Sequence, residues 1–180
     1  MISNLKRAAG AFNNIQRRRH STTSNAPQAH QTTSSPIKPQ APFSDKPSVN
    51  ILTALLLRHG VTTAVVCPGA RNAPIVHDLH AAGIDCHAVT DERSAGFYAL
   101  GLSLAKKTAE DSGGNGAPVA VCVTSGTALL NLAPAVAEAH FRQCPLIVIS
   151  ADRPLERTGQ LDAQTMPQQN ALGCFVAMSV

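Results

Sequence analysis

The chain has 180 residues, 44% of them hydrophobic, and a formal net charge of +4, which suits one domain plus a tail. The charge is lopsided: residues 1–48 carry seven Lys and Arg against Asp45 alone, and the remainder carries eight against ten acids. The globular part is therefore mildly acidic, which excludes a basic nucleic-acid-binding face there, and no apolar run reaches membrane length, so neither nucleic acid nor a membrane is an expected partner.

The first segment has the composition of an organelle transit peptide. Ile2, Leu5, Ala9, Phe12 and Ile15 recur at helical spacing, flanked by Lys6, Arg7 and Arg17–Arg19, and no acid appears before Asp45. The Arg-rich first helix puts the mitochondrion ahead of the plastid. Without an address the same segment is a basic extension on a cytoplasmic protein. Residues 21–48 are rich in Ser, Thr, Gln and Pro and are expected to be disordered. The boundaries are thus a tail over 1–47 and a globular domain over 48–180.

From there the signals alternate. A helix is predicted over Val49–His59, stopped by Gly60, and a β-branched strand over Val61–Cys67, ended by Pro68-Gly69. A helix over Ala73–Ala82 ends at Gly83. A short strand over Asp85–Thr90 leads into a helix over Ser94–Lys107. A Gly-rich loop spans Asp111–Gly116. A strand over Pro118–Val123 meets Ser125-Gly126-Thr127, which opens a helix running to about Gln143. The strand Pro145–Ser150 follows. Beyond Pro154 the pattern weakens; Cys174–Val180 is expected to start a fifth strand, and its end reads as a cut. Four helix-strand units with near-continuous apolar strands predict an α/β fold, a parallel sheet with helices on both faces.

Cys67, Cys86, Cys122, Cys144 and Cys174 are odd in number and contain no CxxC pair. They are read as thiols in a reducing compartment, not as disulfides or a zinc site. The glycines of Gly113-Gly114-Asn115-Gly116 precede a strand, so they cannot cradle a phosphate on a helix N-terminus. No dinucleotide or P-loop fingerprint is present. The five histidines from His59 to His140 show no nucleophile or metal spacing.

Three charged residues fall just after predicted strands: Glu92 in Asp91-Glu92-Arg93, Arg71 in Cys67-Pro68-Gly69-Ala70-Arg71, and Arg153 in Ser150-Ala151-Asp152-Arg153-Pro154. In a parallel sheet that is the C-terminal edge, where such folds bind ligands. Each has a plain alternative. Glu92 is either a helix-start acid complementing the dipole or a site carboxylate. The arginines are either surface charge or forks for carboxylate or phosphate. Thr124-Ser125-Gly126-Thr127 is either a simple N-cap or a small-residue turn that lets a flat ligand approach the backbone.

Four stretches occur together in order: Cys67-Pro68-Gly69-Ala70-Arg71-Asn72-Ala73-Pro74, Asp91-Glu92-Arg93-Ser94-Ala95-Gly96-Phe97, Thr124-Ser125-Gly126-Thr127-Ala128-Leu129-Leu130-Asn131 and Ile149-Ser150-Ala151-Asp152-Arg153-Pro154. Over about residues 48–175 the chain resembles the N-terminal, pyrimidine-binding domain of the 2-succinyl-5-enolpyruvyl-6-hydroxy-3-cyclohexene-1-carboxylate synthases, thiamine-diphosphate enzymes of menaquinone and phylloquinone biosynthesis. The resemblance implies that Glu92 hydrogen-bonds ring nitrogen N1′ of the cofactor and drives its activation, with Pro68, Thr124 and Asn131 around the ring. It implies that Arg71, Arg153 and Gln164 bind carboxylate substrates, 2-oxoglutarate being decarboxylated and its succinyl unit added to isochorismate. It further implies Mg2+ held by a diphosphate-binding domain that this chain lacks, that domain or subunit as partner, and a homo-oligomer when complete. Ala70 replaces the usual serine, and Ala163 precedes Gln164 where Asn or Gly is common. Two alternatives stay open: a non-catalytic subunit or interaction module with this fold, and a related carboligase or decarboxylase with another acceptor.

Overall fold

The computed structural model describes residues 44–106 and 116–179. The transit-peptide reading and most of the Gly-rich loop lie outside the described residues. The elements run α1 (Pro47–Arg58), β1 (Thr63–Val66), α2 (Ala73–Ala81), β2 (Asp85–Ala88), α3 (Glu92–Ala105), β3 (Val119–Val123), α4 (Thr127–Asn131), α5 (Ala133–Phe141) and β4 (Leu146–Ser150), then 3-10 turns at Leu155–Arg157 and Gly173–Phe175. Pro47 supplies a helix-ready φ at the start of α1, and Gly60, at φ 77°, ends it.

The four strands form one parallel sheet in the order β2-β1-β3-β4. Period-two alternation sorts their side chains. Val65, Cys67, Val119, Val121 and Val123 pack with Ala95, Ala99, Leu129 and Val136 of α3, α4 and α5, and with Leu132 between the last two. Ala64, Val66, Ala120 and Cys122 pack on the other face with Leu56 and Leu79 of α1 and α2. Every residue of β1 and β3 is buried, which explains their near-continuous apolar sequences. Each fully buried valine contributes about 1.5–3 kcal/mol. From β1 the chain steps outward to β2, then returns across β1 to β3. The order therefore reverses between β1 and β3, and in open α/β sheets the ligand crevice lies at that switch point, beyond the strand C-termini.

Three expectations are corrected. The helix predicted from Thr127 to Gln143 is two helices, divided at Leu132. Pro134 stands in the first turn of α5; it has no N–H to continue α4 and would collide with the carbonyl four residues earlier. Helix α3 begins at Glu92, not Ser94, because the Asp91 carboxylate accepts the Ser94 N–H at 2.7 Å and caps it. No fifth strand forms among the described residues. Leu172, Phe175 and Val176 instead pack into the core beneath α4 and α5. The chain there turns through Asn170 at φ 60° and the 3-10 turn at Gly173, and β4 pairs only with β3.

Candidate functional site

The turns after β1 and β3 meet at the switch point. Asn72 is fully buried and its Nδ2 donates to the Cys67 carbonyl at 2.8 Å, closing the β1–α2 turn on itself. Gly69 lies so close to the neighbouring turn that a Cβ there would sit 2.7 Å from both Asn72 Oδ1 and Thr124 Cβ. Only glycine permits this approach. Thr124 is buried beneath it.

Arg71 projects from that packed turn across to the next. Its Nη1 donates to Ser125 Oγ at 3.1 Å and to Gln164 Oε1 at 2.6 Å, and Ser125 Oγ donates to the Gln164 carbonyl at 2.8 Å. Among the described residues no carboxylate pairs with Arg71. Neutral oxygens orient the guanidinium and leave its charge uncompensated, a suitable state for capturing an anion. Beyond β4, Arg153 Nη2 donates to the Ala163 carbonyl at 3.2 Å, and Arg153 Nε is buried without a partner. The Asp152 carboxylate accepts the Arg153 backbone N–H at 2.7 Å. Consecutive residues of one returning segment, Ala163 and Gln164, thus hold the two arginines.

Glu92 occupies the first position of α3, at the same edge of the sheet. It is partly buried, and among the described residues it has no hydrogen-bond or ion-pair partner. Its nearness to β1 shows in Cys67, whose thiol is pushed up to about 11, first by burial and then by the charges of Glu92 and Asp91. Glu92 therefore lies near the C-terminal end of β1. The helix-start reading also holds in part, because Glu92 does lie in the first turn, but Asp91 does the capping and leaves Glu92 available.

The structure brings Arg71, Arg153 and Gln164 together through the 163–164 segment, with Thr124 directly beneath. Pro68 is exposed on the β1–α2 turn. Asn131 stands apart, exposed at the last residue of α4 one turn beyond Thr127. Ser125 was one residue of a turn with two open readings; the fold makes it the hydroxyl beside Arg71, on the edge where Ala70 has none. Gln168 had no signal at all. Its Oε1 accepts the Gly126 N–H at 2.5 Å, and its Nε2 donates to the Ala151 carbonyl at 2.9 Å and Ser150 Oγ at 3.3 Å. Only a folded-back segment puts it there. Away from this edge, His87 bridges Asp85 at 3.1 Å and Tyr98 at 3.2 Å on the outer strand β2, a structural use consistent with its lack of motif context. Among the described residues no group of three His, Cys, Asp or Glu is arranged to hold a metal.

Residues 48–172 match the family described as thiamine pyrophosphate enzyme, N-terminal TPP binding domain. The chain is 56% identical over 139 residues to the 2-succinyl-5-enolpyruvyl-6-hydroxy-3-cyclohexene-1-carboxylate synthase of Phocaeicola vulgatus, covering 77% of this chain and 23% of that protein. It is 54% identical to the synthase of the same name from Bacteroides thetaiotaomicron, with the same coverage. The Mycobacterium leprae protein of that name is 46% identical over 129 residues, covering 69% of this chain and 22% of the relative. The chain thus spans less than a quarter of the length of these relatives in the matched region. Among solved structures, benzoylformate decarboxylase from Polynucleobacter necessarius shares the fold, with a TM-score of 0.60 at 24% identity over 73% of this chain and 23% of that one. A match across most of the described residues, on a parallel sheet whose switch-point edge carries Glu92, Arg71 and Arg153, places this chain in the thiamine pyrophosphate enzyme family, as its N-terminal TPP-binding domain.

Proposed function

We propose that this chain is the pyrimidine-binding domain of a 2-succinyl-5-enolpyruvyl-6-hydroxy-3-cyclohexene-1-carboxylate synthase, which joins the succinyl unit of 2-oxoglutarate to isochorismate in menaquinone biosynthesis. The observation that carries this reading is the pairing of one unpartnered carboxyl, Glu92, with two arginines held only by neutral groups on the same sheet edge. The residues fit the cofactor: an aminopyrimidine ring presents one basic nitrogen to a single carboxyl, and of the two carboxyls near the buried Cys67 thiol, Asp91 is occupied by the Ser94 N–H and Glu92 is left available. Thiamine diphosphate, when bound, supplies the carbanion chemistry. Glu92 would hold the ring through nitrogen N1′ and share a proton with it there. Arg71 and Arg153 bind and orient the carboxylates of the two substrates, and Gln164 sets the Arg71 fork.

The same reading assigns Mg2+ and the diphosphate to a second domain, contributed by the partner part of the enzyme, in a homo-oligomer. Apolar side chains left open on α3 to α5 suit such packing: Phe97 is 42% exposed, Leu130 41% and Phe141 76%. The basic first segment is assigned organelle import, to the mitochondrion ahead of the plastid. A reporter fused to residues 1–47 should enter an organelle, and a diffuse cytosolic signal would remove that assignment.

The chemistry is tested in the enzyme completed by its diphosphate-binding domain. Glu92→Gln keeps size and one hydrogen bond but cannot share a proton, so exchange of the cofactor C2 proton, followed by NMR, should be abolished. Arg71→Ala and Arg153→Ala should each weaken carboxylate-substrate binding by about 1.5–3 kcal/mol, the range for a charged hydrogen bond, with exchange largely intact. Wild-type exchange in Glu92→Gln, with exchange lost in the arginine variants, would reverse these roles. It would return Glu92 to a helix-start acid and favour the non-catalytic module.

A further inference from the structure

We propose that Gln168 is a positioning residue for Arg71, holding in place both oxygens that orient the guanidinium. The inference deepens the substrate-binding reading of Arg71 and rests on it for its functional meaning. Arg71 has two acceptors, Ser125 Oγ and Gln164 Oε1. Neither is held by regular secondary structure. Ser125 lies in the turn between β3 and α4, just before Gly126, which adopts φ 76° and ψ −133°. Gln164 sits at φ 57° in a long irregular segment. A guanidinium aimed by two loop residues loses its aim when either loop moves.

Gln168 ties the two loops to each other and to the sheet. Its carboxamide oxygen accepts the N–H of Gly126, the residue next to Ser125. Its carboxamide nitrogen donates to the Ala151 carbonyl and to Ser150 Oγ, at the end of β4. Ser150 Oγ in turn donates to the Thr124 carbonyl at 3.2 Å. Gln168 stands four residues after Gln164, so anchoring it fixes how that segment lies over the β3–α4 turn. The seating is close: a Cβ on Gly126 would meet the Gln164 backbone at 2.7 Å. The bond pattern needs an acceptor and a donor on one planar group of this length. Glutamine provides both; glutamate supplies the donor only when protonated.

The test uses this chain, isotopically labelled, with ethane-1,2-disulfonate as probe. That dianion resembles a dicarboxylate but keeps its charge across the pH range used. Gln168→Met preserves length without the hydrogen bonds. It should raise the Gly126 amide exchange rate about tenfold or more, the equivalent of one lost hydrogen bond. It should also broaden the Arg71 side-chain signals and weaken the disulfonate about tenfold. Gln168→Glu keeps an acceptor for the Gly126 N–H, but at neutral pH its carboxylate faces the Ala151 carbonyl without a proton, so it should show the broadened Arg71 signals and the weakened disulfonate binding. It should recover toward wild type, measured at the same pH, near the ordinary glutamate value of about 4.3. A space-filling role would give no such pH-dependent rescue. Should Gln168→Met fail to fold, the Gln168→Glu rescue alone decides the matter. Wild-type Gly126 exchange and Arg71 signals in Gln168→Met, or Gln168→Glu defects unchanged on acidification, would overturn the proposal. If the wild-type chain binds the disulfonate no better than Arg71→Ala, the substrate reading of Arg71 fails. The exchange and line-shape measurements then still decide whether Gln168 positions that side chain.

Discussion

Gly126 is where the β3–α4 turn and the returning segment press together, and an added methyl group there measures how firmly. Gly126 has φ 76° and ψ −133°, a conformation that a residue with a Cβ holds at a cost of about 1–3 kcal/mol. The methyl of Gly126→Ala would lie 2.7 Å from Gln164 Cα, 2.8 Å from its carbonyl carbon and 2.9 Å from its oxygen. These are backbone atoms and cannot swing aside like the end of a side chain, so overpacking adds about 1–3 kcal/mol. The expected loss is about 2–6 kcal/mol, against a total stability of about 5–15 kcal/mol for a domain. Gly60→Ala is the internal control. Gly60 also has a positive φ, 77°, but nothing lies within 4 Å of its Cβ position, so it should lose only the backbone part, about 1–2 kcal/mol. The chain has no Trp and one Tyr, so urea unfolding is best followed by far-UV circular dichroism, with m-values checked for a two-state transition. Gly126→Ala should also weaken anion binding at Arg71, because relieving the clash moves Gln164. Equal costs for the two variants would refute the close seating of the segment on the turn.

Other outcomes follow from the same contacts. The Ser94 N–H holds the Asp91 carboxyl below its ordinary range, so the cap is present above that range and is lost as pH falls through the lowered value. Asp91→Asn should keep the cap yet flatten the acid limb of thermal melts run against pH. Burial pushes the Cys67 thiol to about 11 and the Cys122 thiol to about 12 from 9.0. Both keep their protons in the fold where the unfolded chain loses them, so stability should fall as pH rises above about 9. In the folded chain at mildly alkaline pH, iodoacetamide should label the exposed Cys174 well before either, read by mass spectrometry. Ser103 is fully buried, donates to the Ala117 carbonyl at 2.5 Å and accepts from Cys144 Sγ at 3.0 Å. Ser103→Ala strands both partners and should cost about 1–3 kcal/mol in the same urea assay, with the anion site unaffected.

Much of this protein is determined locally and is legible in one dimension. Val61–Cys67 and Pro118–Val123 announce buried strands because both faces of the sheet are covered, and a short, valine-rich, near-continuous apolar run suits that position. Pro68-Gly69 and Gly83 mark ends because their backbones favour turns. Parallel strands then force Glu92, Arg71 and Arg153 to one edge, since each follows its strand by a few residues. The division of the long helix is also written in Pro134, whose missing N–H interrupts the apolar run around it. What only the tertiary structure decided is which groups meet at that edge. The strand order β2-β1-β3-β4 brings the turn carrying Arg71 against the turn carrying Ser125, 54 residues apart. The fate of Phe175 and Val176, packed against the core in place of a fifth strand, was likewise settled by where the preceding segment lies. Gln164 and Gln168 reach their partners from 93 and 42 residues away. A glutamine in a stretch without periodicity has no local signature, because its donor and acceptor are given their partners only when the chain returns over the sheet.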